Sequence, residues 1–280
     1  MLYKHFFLGI TYNFSGDTLL KFKKGDFVTR KSHENDTVFK ILNIRDDICY
    51  LKGVDVRLYA DSEIEDLEPY ESDEEDDFEN TVEDDDNLDR SEYFYLPARI
   101  LHLDGDGEYL KRCLRYYKKF NVKAVGKIVK EDTLPSKIFK MLQEYTPDIV
   151  IITGHDAYYR RKGDMNDINN YKNSKYFCDS IKLARKYEKS HEKLVIIAGA
   201  CQSDYEELIK AGANYASSPK RVNIHALDPA IIATTIALTE KNTSIDLINT
   251  LAKTKYGPDG MGGIKGMGLM YVGYPRWLKK

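Results

Sequence analysis

Residues 148–156 read DIVIITGHD and residues 194–202 read LVIIAGACQ. Each stretch opens as an unbroken apolar run rich in β-branched residues, without the polar alternation of a half-exposed strand. Such runs belong to strands covered on both faces, as in a parallel sheet between two helical layers. Each run then stops at a glycine and presents one reactive side chain, His155 in the first and Cys201 in the second. The same grammar repeats outward along the chain. Strands are expected over 98–106, 122–129, 148–153 and 194–199, with a short fifth over 214–219. Between and after them the helical periodicity of 107–120, 134–145, 174–188, 203–212, 228–240 and 243–253 predicts helices. Pro135 stands at the start of the second, and Ser203 and Gly212 bracket the fourth. Strands alternating with helices make this part an α/β parallel sheet flanked by helices. In open sheets of that kind, ligands bind beyond the carboxyl ends of the strands, where His155 and Cys201 both stand.

The first 70 residues follow another pattern. Short, partly alternating pieces over 26–32, 37–47 and 48–61 are separated by the turn residues of KKGD, HEND and RDD. They predict a small β-rich module resembling an SH3-like barrel. Residues 71–89 hold twelve Asp or Glu and no Lys or Arg; removing that charge from the net −3 leaves +9 for the rest. A run this acidic repels itself and reads as a disordered linker over 71–96. The expected organisation is a β-rich domain at 1–70, the linker, and an α/β domain at 97–280.

A hydrophobic content of 42% and a charged content of 31% describe a globular chain. No apolar run approaches the roughly 18 residues of a membrane span, and the N-terminus has no secretory signal pattern. A cytoplasmic protein with no membrane partner is expected. The charge excess outside the linker is no ground for expecting nucleic acid. The four cysteines, Cys49, Cys113, Cys178 and Cys201, form no CxxC pair, which excludes a zinc ribbon and a disulfide framework. HLDGDGEY at 102–109 lacks the distal glutamate of a calcium loop. PDGMGGIKGMG at 258–268 lacks the lysine–serine pair of a phosphate loop. No metal or organic cofactor is expected.

A thiol hydrolase needs a thiolate, a base and donors for an oxyanion. Cys201, after a buried strand and ahead of a helix, suits the nucleophile. His155, at the same level of the next run, suits the general base and acid. Gly199 and Ala200 are small and leave room for a substrate backbone. The amide of Cys201, with that of Gly154 or Asp156, is the expected oxyanion hole. His225 is the rival base. Cys49, Cys113 and Cys178 read as core residues, and His102 as a strand residue. The rival readings are a Cys-dependent amidohydrolase and a non-catalytic α/β binding module.

GDFVTRKS (25–32), RLYADSEIEDL (57–67), RILHLDGD (99–106), DIVIITGHDAYY (148–159), NSKYF (173–177), GGIKG (262–266) and the long stretch from Ile196 to Pro229 together resemble the YabG family of sporulation-specific proteases. The resemblance runs from about Gly25 to the C-terminus. It implies a cysteine endopeptidase of the mother cell that processes spore coat proteins, its substrate partners, with a preference for cleavage after arginine. It also implies a caspase-, clostripain- and gingipain-like core, in which histidine follows one sheet strand and cysteine the next. Those enzymes usually carry glycine directly after the histidine, where this chain has Asp156. A pocket for arginine requires a carboxylate, for which Asp156, Asp179, Asp204 and Asp228 are the candidates. Asp156 and Asp204 lie nearest the pair in sequence. In the light of the resemblance, the non-catalytic alternative is a coat-assembly module, and neither the coat substrates nor the oligomeric state is legible.

Overall fold

A computed structural model describes residues 22–71 and 91–276 of the chain. The N-terminal part is one antiparallel sheet. Its strands are β1 (Phe27–Arg30), β2 (Phe39–Arg45), β3 (Ile48–Gly53), β4 (Tyr59–Glu63) and β5 (Leu67–Pro69), in the order β4-β3-β2-β1-β5. β4 and β5 are its two edges, and no ladder joins them among the described residues. The barrel expected from the sequence is therefore an open sheet. β4, YADSE, has no fully buried residue, so no apolar face draws its free edge onto β5. The stretch 48–61, which reads as one strand-like piece, is broken into β3 and β4 by an irregular connection at residues 54–58.

The long acidic run lies outside the described residues over 72–90. The last part of the expected linker is ordered: β6 (Phe94–Leu96) pairs antiparallel with a strand near the C-terminus.

The remaining elements are, in chain order, β7 (Ile100–Asp104), α1 (Gly107–Lys119), β8 (Ala124–Ile128), α2 (Leu134–Tyr145), β9 (Ile149–Thr153), α3 (Ser174–Tyr187), β10 (Val195–Ala198), α4 (Tyr205–Ala211), β11 (Tyr215–Ser217), α5 (Asp228–Leu238), α6 (Leu247–Ala252), α7 (Gly257–Gly260), β12 (Met261–Gly263) and β13 (Tyr271–Gly273). β13 is the partner of β6. The main sheet runs β12-β11-β10-β9-β7-β8. β8, β7, β9, β10 and β11 are parallel and β12 closes the edge antiparallel to β11.

Every residue of β7, β9 and β10 is buried. Successive residues on each strand enter opposite cores, as the period of two requires. Ile149 and Ile151 pack with Cys113, Tyr117 and Ile231 of α1 and α5. Val150 and Ile152 pack with Leu134, Ile138, Phe177, Ile181 and Leu208 of α2, α3 and α4. The first cluster also takes in Val28, Phe39, Ile41, Leu51 and Leu67 of the N-terminal sheet. The β-rich module and the α/β part thus share one core. From β7 the chain passes to β8 on one side and then returns to β9 on the other. This reversal opens a crevice over the carboxyl ends of β7 and β9, the topological switch point of a doubly wound sheet.

Candidate active site

Three strand ends meet at that crevice. β7 ends in Asp104-Gly105-Asp106, β9 in Thr153-Gly154-His155-Asp156, and β10 in Ala198-Gly199-Ala200-Cys201. The N-terminal module adds Lys52, Arg57 and Tyr59 around its β3–β4 connection.

His155 is held on every side. Its amide donates to Glu131 at 2.7 Å and its carbonyl accepts from Asn173 at 2.7 Å. The ring lies against Tyr59, with centroids 4.2 Å apart, and at a greater distance against Tyr109, with centroids 5.7 Å apart. Nε2 is 3.1 Å from an oxygen of Asp106, and Nδ1 is 3.3 Å from the carbonyl oxygen of Arg57. Both partners only accept, so the two contacts are satisfied together only when both ring nitrogens carry hydrogen.

Asp106 is the residue that sequence reasoning passed over. One of its oxygens caps α1, accepting from Glu108 and Tyr109. The other faces His155, Lys52 at 2.8 Å and the hydroxyl of Tyr59 at 3.3 Å. Burial works to raise its pKa. The imidazole, the Lys52 ammonium and the Glu108 amide outweigh that and hold the carboxyl well below the usual range. The signal was available as Asp-Gly-Asp at the end of the first buried strand, beside the switch point.

Cys201 is fully buried, in the turn between β10 and α4. Its sulfur accepts from the amide of Ile224 at 3.3 Å and lies 3.8 Å from the Ile224 carbonyl oxygen, with the amide of Arg57 nearby favouring the thiolate. Burial pushes the thiol up to about 12, the amides offsetting only part of it. No hydrogen bond joins Cys201 to His155 among those of the described residues; the main chain of Arg57 lies beside both. The two side chains occupy neighbouring strand ends as the sequence predicts, with a segment of the N-terminal module laid over them. The helix expected to activate the thiol gives no net lowering against this burial.

The other candidates serve the loops. Gly199 has φ +106°, and a Cβ there would fall 2.3 Å from the hydroxyl oxygen of Ser217. Its smallness admits Ser217. Ala200 is buried, its amide donating to Ser203 and its carbonyl accepting from Ser217 and Ser218. Gly154 is met by the Glu131 carboxylate, again at 2.3 Å from an added Cβ. Asp156 accepts from Ser174, Asn173, Ser203 and its neighbour Ala157, tying the histidine and cysteine loops to the start of α3. Burial pushes it up to about 6 against those four donors.

Asp204 caps α4 and is joined by Arg221 at 3.3 Å. Asp228 accepts from the amides of His225 and Lys255. Asp179 lies within α3, partly exposed. His225 is buried, its Nδ1 accepting from the amide of Leu227. Cys49 and Cys178 are buried in the core, and so is Cys113, which lies 3.7 Å from the Arg57 guanidinium. His102 is enclosed between Tyr117 and Thr153, and burial lowers its pKa. Beside the cysteine loop a cleft of about 890 Å³ opens between the two modules, lined in part by Tyr59, Tyr158, Gln202, Arg221 and Tyr256.

No helix among the described residues is long and apolar enough to cross a membrane. The sequence is 40% identical over 286 aligned residues to the sporulation-specific protease YabG of Bacillus subtilis (strain 168), an alignment covering 91% of this chain and 99% of that one. The family model described as YabG peptidase U57 matches residues 23–275, which hold the N-terminal sheet, the α/β sheet and all three strand ends of the crevice. The chain belongs to the YabG peptidase family.

Proposed function

We propose that the chain is a cysteine endopeptidase of sporulation that cuts spore coat proteins after arginine, with Cys201 as nucleophile and His155 as base. The observation that carries this reading is the setting of His155. A buried carboxylate, Asp106, holds one ring nitrogen, and the other faces the peptide that lies against the sulfur of Cys201. Nucleophile, base and orienting acid on three neighbouring strand ends form the arrangement that acyl transfer requires. The sheet order and the positions of histidine and cysteine on adjacent strands support a caspase-like core.

With a substrate peptide in place of Arg57, Cys201 gives its proton to His155 and its sulfur attacks the scissile carbonyl carbon. The imidazolium is steadied by Asp106. The developing oxyanion is received by backbone amides, that of Cys201 and that of Gly154 or Asp156, since the His155 amide is already given to Glu131. Collapse breaks the C–N bond, and the imidazolium returns the proton to the leaving amine, leaving a thioester. Water, deprotonated by the same imidazole, attacks that thioester; the free carboxylate leaves and the thiol is restored.

The test is cleavage of arginine-containing peptides and of spore coat extract by the full chain, with products mapped by mass spectrometry. Cleavage after arginine that disappears in Cys201→Ala and His155→Ala supports the reading. Equal cleavage by wild type and Cys201→Ala would remove Cys201 from the mechanism.

A further inference from the structure

Arg57 is fully buried although it belongs to the β3–β4 connection of the N-terminal module. Its guanidinium donates to Asp104 at 2.6 Å and to the Ala226 carbonyl at 3.0 Å, and lies over the ring of Tyr109. Its Nε has no hydrogen-bond partner among the described residues. Asp104, at the end of β7, is itself fully buried and held far below the usual carboxylate range, the Arg57 charge being the largest cause that lowers it. Burying a guanidinium is costly wherever it is done. Here the main chain of the same residue lies at the dyad, its carbonyl oxygen 3.3 Å from Nδ1 of His155 and its amide among the groups that favour the Cys201 thiolate. An arginine therefore sits with its backbone at the dyad and its side chain on a carboxylate two strand ends from the nucleophile, across β9. The oxygens of Asp156 are taken by loop amides and hydroxyls and those of Asp228 by loop amides; Asp204 spends one oxygen on the cap of α4 and on Arg221, and its other oxygen has no hydrogen-bond partner among the described residues.

We propose that Asp104 is the carboxylate that selects arginine in the substrate, and that Arg57 is an internal occupant of that pocket which keeps the enzyme latent. The inference rests on the cysteine-peptidase reading above.

The connection is built to block and not to be cut. A substrate lies extended across a nucleophile, whereas residues 53–58 are folded back on themselves. The Leu58 amide donates to Val56 at 2.8 Å and the Gly53 amide to Leu58 at 2.7 Å. Tyr109 binds the carbonyls of Gly53 and Val56, Arg112 binds that of Val54, and Asp55 accepts from the amide of Ala226. The sulfur is engaged by the main chain of Ile224, and the imidazole is spent on the Arg57 carbonyl oxygen. No attack trajectory exists until the connection moves away.

The experiment measures site-resolved alkylation of the full chain by iodoacetamide, with Cys49 and Cys178 as internal reporters of folding. Arg57→Gln should speed labelling of Cys201 about tenfold or more, in proportion to the open fraction, while Cys49 and Cys178 stay protected. Because it leaves the buried Asp104 carboxylate with the Thr153 hydroxyl and the Asp106 amide but without the Arg57 charge, the neutral pair Arg57→Gln/Asp104→Asn is run beside it and should open Cys201 equally. A short peptide ending in arginine should then protect Cys201 in Arg57→Gln but not in the double variant, and its norleucine counterpart in neither.

Cys201 labelling at the wild-type rate in either folded variant overturns the blocking role. Equal protection by the arginine peptide in both variants overturns the assignment of Asp104. Selective opening of Cys201 without any peptide cleavage would leave the occlusion standing and sink the peptidase reading beneath it.

Discussion

Replacing Asp106 by Asn tests the site at the group the sequence did not flag. The substitution keeps the shape of the side chain and its capping oxygen, which accepts from the amides of Glu108 and Tyr109. It changes the second position, where the carboxylate faces His155 at 3.1 Å and Lys52 at 2.8 Å. An amide nitrogen there sets a donor against two donors. His155 must then place its single proton on the other nitrogen, the one turned toward the nucleophile, and lose its function as base. An orienting carboxylate of this kind is worth about 10⁴-fold in the serine-protease example, so a fall of about 10² to 10⁴ in kcat with a small change in KM is expected. The cost in stability is about 1–3 kcal/mol, because Lys52 keeps Glu108 at 2.5 Å while one donor pair goes unmet. Asp106→Ala should be less stable than Asp106→Asn by a further ~1 kcal/mol, the worth of the lost cap. The assay is steady-state cleavage of an arginyl peptide across pH, beside urea unfolding. A merely structural Asp106 would lower stability and leave the pH profile of kcat unmoved. Activity within threefold of wild type, with an unchanged profile, would refute the orienting role.

Three further outcomes follow from the same geometry. In the wild type, alkylation of Cys201 should keep rising with pH past 9, since burial pushes its thiol up to about 12; levelling near the ordinary thiol value would show the sulfur to be open to solvent. Asp104 and Asp106 are both held far below the unfolded value near 4, so the stability they contribute is complete above that value and is lost as pH falls below it. Urea midpoints should therefore drop steeply below about pH 4 in wild type and less steeply in Arg57→Gln/Asp104→Asn; parallel curves would count against the pairing. Asp156→Ala leaves four donors without an acceptor and should cost about 2–4 kcal/mol, read as a lowered urea midpoint, and an unchanged midpoint would deny Asp156 its place as the tie between the loops.

The α/β part was legible because its signals are local. Apolar runs at β9 and β10 could bury both faces only in a parallel sheet, and Pro135 and Gly212 mark helix ends that the structure keeps. His155 and Cys201 were legible as strand-end residues for the same reason. What surrounds them was not. Gly199 and Ala200 read as room for a substrate, but their neighbours Ser217 and Ser203 fill that space, and a contact with a later strand leaves no mark on the sequence around Cys201. Asp104 and Asp106 were read as a failed calcium loop because spacing was weighed there and strand position was not. The piece at 48–61 carried partial alternation through Val54 and Val56, so its break was hidden: Val56 points to the core from a loop, not from a strand.

That break gives the N-terminal module its bearing on the site. Had it been only a recruiting module, its contacts with the α/β part would have been exposed and polar, as between domains that move freely. Instead Val28, Phe39, Ile41, Leu51 and Leu67 join the core beneath α1 and α5, and Lys52, Arg57 and Tyr59 reach the strand ends. Neither feature accounts for the other. A shared core fixes the module in place without requiring any side chain to enter the crevice, and an entering arginine needs a rigid base to hold it there. Together they make the closed crevice a property of the folded chain. Access to Cys201 is then decided by residues 53–58, a short connection whose ends are pinned by strands and whose centre rests on Asp104. Motion there can open the crevice without unfolding the sheet that carries it.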